Sequence, residues 1–245
     1  MPHALTVSSI SYSVAGFDIL KQLSLDVESR QYYAIAGVNG AGKSTLIKLI
    51  LDLIRSLPGG EIRIFGRNNS DPQCREQLAY LPEKFDVKKN ISGRQYLQFI
   101  AAIYHQQLDS RKIAGLAERL DFPQDRLDSR VGGYSKGMVQ KLGLLSCLML
   151  ERRLVILDEP LSGLDPRARY HFKELMSSMK SSEHTVLYST HLLADAEELC
   201  DRFGILHGGE MKYQGTPADC LRRYQADTLE KAYMNCIEDQ EPSRS

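Results

Sequence analysis

The stretch GVNGAGKST, Gly37 to Thr45, decides the fold class of this chain. It has the form Gly-x-x-x-x-Gly-Lys-Ser, in which glycines let successive backbone N–H groups turn inward around an anion. A short apolar strand, YYAIAG, precedes the stretch, and a helix-like segment, TLIKLILDLI, follows it. The apolar residues of that segment fall on one helical face: Leu46, Leu49, Ile50, Leu53 and Ile54. This context favours a phosphate-binding loop over a glycine-rich turn that holds no ligand.

The residue types of the loop fit a nucleoside triphosphate with Mg²⁺. We expect Lys43 to reach the β- and γ-phosphates and the hydroxyl of Ser44 to ligate Mg²⁺. The N-terminus of the following helix adds free N–H groups and the positive end of the helix dipole. The loop alone leaves open whether it serves a kinase, a GTPase, a helicase or a transport motor.

Composition places the chain among ordinary globular proteins. Of its 245 residues, 42% are hydrophobic and 25% are charged, and 31 basic residues are balanced by 31 acidic ones. A nucleic-acid-binding domain would favour a basic excess. We therefore expect a full hydrophobic core and no nucleic acid among the partners.

Cysteine usage and hydropathy bear on the compartment. The five cysteines are scattered without a Cys-x-x-Cys pair, which argues against a disulfide framework and a zinc site and favours a reducing cytoplasm. The N-terminal MPHALTVSSI does not have the pattern of a signal peptide. The longest apolar stretches, such as LGLLSCLML, fall short of the roughly 20 residues that span a bilayer. Any membrane span is therefore expected in another chain.

The order of segments predicts an α/β fold. Residues 4–37 read as β structure, and the alternation in ALTVSSISYSV and ILKQLSLDVE suggests an antiparallel, half-exposed sheet. QYLQFIAAIYHQQL and RKIAGLAERLDF are helix-like. From Ser135 onward, strands such as RRLVILDEP and HTVLYSTH alternate with helices, as in a parallel sheet. We predict a phosphate-loop NTPase core with a parallel sheet (1–84 and 139–245), which includes an N-terminal antiparallel β subdomain, and an inserted helical subdomain (85–138).

LVILDEP is the second decisive stretch. The four apolar residues predict a buried parallel strand, and Asp158 and Glu159 emerge at its carboxyl end. In phosphate-loop enzymes the magnesium-binding aspartate lies at this place, which makes Asp158 a metal candidate. Glu159 is placed to polarise a water for in-line attack on the γ-phosphate. The alternative is that the acidic pair caps the next helix, near Pro166.

Four further motifs narrow the class of enzyme. The sequence contains no guanine-reading Asn-Lys-x-Asp, which argues against a GTPase, whereas a small-metabolite kinase is not excluded by the loop alone. The further motifs are YLPE before the helical insert, YSKGMVQKL ahead of the LVILDEP strand, LSGLD directly after it, and STH at the end of the next strand.

With these motifs in this order, residues 5–237 resemble the nucleotide-binding subunit of an ATP-binding cassette (ABC) transporter. In that family GVNGAGKST is Walker A, LVILDE is Walker B, YSKGM corresponds to the signature and LSGLD is the D-loop. The resemblance implies that His191 of STH acts at the γ-phosphate and that Tyr12 stacks on adenine. The alternative for Tyr12 is local packing in its strand.

The resemblance also implies the bound groups, ATP and Mg²⁺, and the arrangement of the site. Two cassettes, expected to be copies of one chain, pair head to tail and sandwich two ATP molecules. The catalytic residues are then Glu159, His191 and Lys43, and the metal ligands are Ser44, Asp158 and Glu83. The expected nucleotide contacts are Tyr12, Gly37, Asn39, Gly40, Ala41, Gly42, Lys43, Ser44, Thr45, Ser135, Gly137 and Asp165.

Two motifs differ from the usual sequence of the family. In the signature, usually LSGGQ, Tyr134, Lys136 and Met138 replace leucine, glycine and glutamine, and we expect Lys136 to point to solvent. Glu83 stands where the family usually has glutamine. The YLPE form and the segment TLEKAYMNCIE resemble the branch that serves type-2 export permeases.

The prediction is therefore a cytoplasmic ATPase subunit that is held at the inner face of the membrane by permease subunits and drives export. One alternative is a soluble ABC ATPase without a membrane partner. The other is an ATP-dependent dimerising module with little turnover.

Overall fold

The computed structural model describes residues 3–180 and 183–238. The first elements are β1 (His3–Val14), β2 (Phe17–Glu28), β3 (Tyr32–Ala36), α1 (Lys43–Ile50), β4 (Glu61–Ile64) and β5 (Arg67–Asn68). The middle elements are β6 (Leu78–Leu81), α2 (Gly93–Ile103), α3 (Ser110–Arg119), α4 (Lys136–Leu148), β7 (Leu154–Leu157) and α5 (Pro166–Met179). The last are β8 (Thr185–Thr190), α6 (Leu193–Leu199), β9 (Arg202–His207), β10 (Glu210–Gly215), α7 (Pro217–Arg223) and α8 (Leu229–Glu238).

These elements fall into two compact units. The described residues up to 75 and from 185 onward form the first unit, and those from 76 to 184 form the second. The predicted division into a core and a helical subdomain at residues 85–138 stays a prediction.

The first unit contains an antiparallel sheet and a group of mostly parallel strands. The antiparallel sheet has the order β2-β1-β4-β5, which confirms the prediction for the N-terminal segment. The second group has the order β10-β9-β3-β8, and β3 runs parallel to both of its neighbours. All five residues of β3 are buried, as expected for a strand covered on both faces.

Over its described residues, the second unit combines the parallel pair β6–β7 with the α-helices α2, α3, α4 and α5. All four residues of β7 are buried, which confirms the strand predicted from LVILDEP. Helix α4 packs against α2, α3 and β6, so it is the central helix of this unit. Three of its leucines, Leu142, Leu144 and Leu145, are fully buried.

The helix after the phosphate loop is shorter than predicted. It ends at Ile50, and Asp52 takes a left-handed backbone conformation with a φ of 54°. The N–H of Leu53 then donates to the carbonyl of Lys48 at 2.9 Å, which closes the helix end. Leu53, which is 62% exposed, and Ile54 lie beyond this end, so placing them on the same helical face as Leu46, Leu49 and Ile50 was wrong. Helix α7 was also not predicted.

Candidate functional site

The phosphate loop joins β3 to α1. At two positions of this loop, only glycine can be accommodated. Gly42, the residue that precedes α1, has a φ of +107°, and a Cβ there would lie 2.7 Å from Cδ2 of Leu20. A Cβ on Gly37 would lie 2.4 Å from the carbonyl oxygen of Leu206. Packing of β2 and β9 on the loop therefore requires the first and last glycines of the motif.

Lys43 lies inside the loop. Its side chain is 6% exposed, and its Nζ donates to the carbonyl oxygens of Gly37 at 2.8 Å and Val38 at 3.3 Å. The N–H of Ala41 donates to the carbonyl of Val38 at 3.2 Å, which closes the turn. Asn39 and Gly40, at the tip of this turn, are exposed. The loop thus holds one ammonium group among its own backbone groups, as binding of a phosphate chain requires.

His191 emerges beside the phosphate loop. Strands β3 and β8 are parallel neighbours with Ala36 opposite Thr190, so the residues that follow them lie at the same edge. The N–H of Gly37 donates to the carbonyl of Thr190 at 3.2 Å. His191 follows directly and is exposed. The structure therefore brings together the loop and the histidine that the sequence predicted for one site.

Tyr12 lies on the strand pair that packs on the loop. In the β1–β2 register it stands opposite Leu20, whose side chain approaches Gly42. Side chains of directly opposed residues project from the same face of a sheet. Tyr12 is half-buried. This placement supports a contact with a nucleotide held by the loop, and the stacking on adenine stays a prediction.

The acidic pair lies in the second unit, at the carboxyl end of β7. Asp158 is 2% exposed and Glu159 is 8% exposed. The N–H of Asp158 donates to the carbonyl of Leu81, the last residue of β6, at 2.9 Å. Glu83 follows β6 by two residues and is exposed. Carboxylates are rarely buried to this extent, so the pair is a functional candidate and not a solvated surface feature.

Tyr80 reports on the charge at this edge. Its pKa is raised to about 12, first by burial and then by the charges of Asp158, Cys147 and Glu83. The phenol therefore stays neutral at physiological pH. Asp158 and Glu83 therefore both lie near Tyr80 in this unit, and two carboxylates at one place suit a cation.

The acidic pair does not cap α5. The N-cap of that helix is Asp165, whose carboxylate accepts from the N–H of Ala168 at 2.8 Å, and Pro166 is its first residue. The capping alternative for Asp158 and Glu159 is therefore wrong. Asp165 was expected to contact nucleotide, and the structure shows that its carboxylate already stabilises the start of α5.

The signature segment forms the start of α4. Ser135 is the N-cap, and its Oγ accepts from the N–H of Met138 at 3.2 Å. Ser135 and Lys136 are exposed, and the first turn of the helix contains no acidic residue. Gly137 is half-buried. A hydroxyl and N–H groups at an exposed helix start suit an anion, and anion binding by Ser135 and Gly137 stays a prediction.

Comparison with known proteins decides the family. The sequence profile of the family described as ABC transporter matches residues 20–162. The chain is 33% identical to the ABC-type transporter ATP-binding protein EcsA of Bacillus subtilis over 90% of each chain. It belongs to the ABC transporter ATP-binding family. That family hydrolyses ATP.

A solved structure described as the ATP-binding subunit of an ABC transporter has the same fold as this cassette. The two superpose with a TM-score of 0.86 at 33% identity, over 96% of this chain and 99% of the other. An uncharacterized ABC transporter ATP-binding protein of Synechocystis sp. is 35% identical over 82% of this chain. The cassette spans 58% of the length of that relative.

The residues expected to hold Mg²⁺ have suitable chemistry. Hydroxyl and carboxylate oxygens are the ligands that this ion prefers, and Asp158 and Glu83 emerge from neighbouring strands. Within residues 3–180 and 183–238, no cluster of three or more His, Cys, Asp or Glu side chains could hold a metal by itself. Ser44 belongs to the first unit. The metal role of these three residues stays a prediction.

Sequence reasoning missed Gln140 of the cassette. This residue lies on α4 and is 7% exposed, and its amide reaches the segment that follows Glu159. The available signal was a glutamine inside the predicted helix KGMVQKLGLLSCLML, next to Lys141 and before a mostly apolar stretch. A buried amide in such a run needs hydrogen-bond partners, and the sequence alone did not say which.

No helix in the described part of the cassette has the length and apolar composition needed to cross a membrane.

Proposed function

We propose that this cassette is the ATP-hydrolysing subunit of an ABC transporter, that two copies dimerise on ATP, and that the dimer drives export through a membrane permease. The observation that carries the proposal is the buried pair Asp158–Glu159 at the carboxyl end of β7, together with a complete phosphate loop in the same chain. A binding module with little turnover would not need a buried carboxylate at Glu159.

The loop and the two strand ends have distinct tasks in hydrolysis. The N–H groups of residues 37–45 and the ammonium of Lys43 bind the phosphates of ATP. Glu159 accepts a proton from the attacking water. His191 donates to the γ-phosphate and fixes its position. Ser44, Asp158 and Glu83 would hold Mg²⁺, which neutralises charge on the β- and γ-phosphates.

The second subunit is needed because α4 presents its N-terminus outward. Ser135 and Gly137 lie at the exposed start of this helix, far along the chain from Lys43. In a head-to-tail dimer they bind the γ-phosphate of ATP held by the other copy. ATP then joins the two cassettes, and hydrolysis releases them.

A permease partner is supported by two sequence features. Glu83 follows β6 and precedes the helices of the second unit, where a loop that responds to nucleotide can move a docking surface. The segment TLEKAYMNCIE, which resembles the ending of type-2 exporter cassettes, includes α8. These features support the proposal that a permease holds the cassette at the cytoplasmic face of a membrane.

The test of the proposal is the substitution Glu159→Gln in purified cassette. A neutral amide cannot take a proton from water, so we expect ATP turnover to fall on the order of 10²-fold or more, with ATP binding retained. ATP should also trap the dimer, which light scattering detects. Glu118→Gln is the matched control, because Glu118 is an exposed residue of α3 in the same unit. Near-normal turnover in Glu159→Gln contradicts the proposal.

A further inference from the structure

The backbone at Glu159 is strained. Its φ is +50°, a left-handed conformation that residues with a side chain seldom adopt. The N–H of Ser162 donates to the carbonyl of Glu159 at 3.0 Å and closes a turn. We call residues 159–164 the catalytic loop. Strain of this kind persists only where the surrounding structure holds the segment in place.

Gln140 of α4 holds the first turn of the catalytic loop. Its Nε2 donates to the carbonyl oxygen of Pro160 at 3.1 Å, and both residues are buried. Proline has no backbone N–H, so the carbonyl is its single backbone hydrogen-bonding group. The bond therefore attaches the peptide between Pro160 and Leu161, one residue beyond Glu159, to a helix in the centre of the unit.

Lys136 of α4 holds the second turn of the same loop. A Cβ placed on Gly163, whose φ is +78°, would lie 3.0 Å from Cε and 3.4 Å from Cδ of Lys136. The aliphatic part of the lysine therefore lies directly across the glycine. A Cβ on Gly137 would likewise lie 3.7 Å from the carbonyl oxygen of Gly163. The start of α4 and the end of the catalytic loop thus pack together.

We infer that α4 positions the catalytic loop through Gln140 and Lys136, and that these are positioning residues for Glu159. The inference rests on the proposed catalytic role of Glu159. Because α4 starts at the signature, the helix that meets the ATP of the partner subunit also fixes the glutamate that acts on the ATP of its own subunit. The two nucleotide sites of a dimer are then linked through one rigid helix.

The variant Gln140→Met tests the inference. Methionine has a similar length but cannot donate to Pro160, so the catalytic loop loses one attachment. We expect kcat for ATP hydrolysis to fall about tenfold, because small displacements of a reacting group have large effects, with KM for ATP unchanged. The matched control is Gln106→Met, which removes a similar bond, 3.4 Å from Nε2 to the carbonyl of Leu150, in the same unit. That control should keep the kcat of the unmodified cassette.

The outcomes separate this inference from the proposed function. If Glu159→Gln is inactive while Gln140→Met folds and turns over at the normal rate, the inference is wrong and the function stands. A rise in KM with normal kcat also overturns it, since Gln140 would then act on binding. If Gln140→Met does not fold, the variant Lys136→Gly tests the inference instead. This variant should fold, because Lys136 is exposed and glycine is the usual residue at this position of the signature. We expect a kcat several-fold lower with unchanged KM, and a normal kcat overturns the inference.

Discussion

The phosphate loop and the signature segment both end in a helix N-terminus, but they differ in how much of an anion site one chain builds. At α1 the helix start is Gly42, without a side-chain cap, and Lys43 lies buried within the loop. At α4 the start is capped by the hydroxyl of Ser135, and the neighbouring Lys136 is exposed. We propose that the first region can surround a phosphate chain by itself, whereas the second offers an anion one exposed surface.

Because of this difference, substitutions in the two regions should affect different measurements. Substitutions in the phosphate loop should change ATP binding by a single subunit. Substitutions in the signature segment should leave that binding intact and should change turnover, which needs two subunits.

Lys43→Ala should have the largest effect. It removes the ammonium from the centre of the phosphate loop, so we expect turnover to fall on the order of 10²-fold or more and ATP affinity to weaken. Calorimetric titration and a phosphate-release assay measure the two quantities. Lys48→Ala is the control, since Lys48 is an exposed lysine of the same helix. Unchanged affinity in Lys43→Ala would contradict the loop assignment.

Gly42→Ala should weaken ATP binding more than tenfold, because a Cβ there meets Leu20 and the loop has to shift. We also expect the free energy of unfolding to drop by about 1–3 kcal/mol, which denaturant titration measures. Gly16→Ala is the control, since Gly16 has a similar φ of +84° with nothing within 4 Å of a Cβ. If both variants bind ATP equally well, the geometry at Gly42 does not shape the loop.

Ser135→Ala should reduce turnover about tenfold and leave ATP binding by the single subunit unchanged, since one hydrogen bond to the partner's nucleotide is lost. Loss of the helix cap should also lower stability by about 1 kcal/mol. Asp109→Ala removes the cap of α3 in the same unit and separates the two effects. An equal loss of turnover in both variants would show that Ser135 acts only as a helix cap and does not contact the nucleotide.

Glu83→Ala should have the smallest effect on nucleotide affinity and a larger effect on transport. Its carboxylate is exposed at the end of β6, so the phosphate loop keeps its contacts. We expect affinity for ATP within about twofold of the unmodified cassette, since Lys43 and the N–H groups of the phosphate loop hold the phosphates and Ser44 and Asp158 remain for Mg²⁺. Transport by vesicles containing the cassette and its permease should fall clearly. Normal transport in this variant would show that Glu83 is only a surface carboxylate without a role in transport.

The features that could be predicted from the sequence are those that depend on the residues of one short segment. The glycines of the phosphate loop, the strand before it and the buried strand of LVILDEP each follow from residue type at fixed spacing. The end of α1 was wrong because Asp52 takes a left-handed conformation that the apolar pattern of TLIKLILDLI does not reveal. The position of such a helix end depends on backbone hydrogen bonds and not on the spacing of apolar residues.

The contacts of α4 with the catalytic loop could not be predicted either. Lys136 is exposed, in line with the expectation, but its aliphatic part also lies across Gly163. Gln140 bonds to a carbonyl 20 residues away in sequence. Both contacts depend on how α4 packs beside β6, which is a tertiary property without a local sequence signal.

Crosslinking between subunits tests the composite site most directly. One chain carries Ser135→Cys and a second, differently tagged chain carries Asn39→Cys, at the exposed tip of the phosphate loop. The five native cysteines are all buried, and the unsubstituted cassette serves as the control for any bond they form. The account predicts a disulfide between the two tagged chains that forms with ATP bound and not without it. If the bond does not form in ATP, or if it forms only when both cysteines are placed in one chain, the head-to-tail dimer is contradicted.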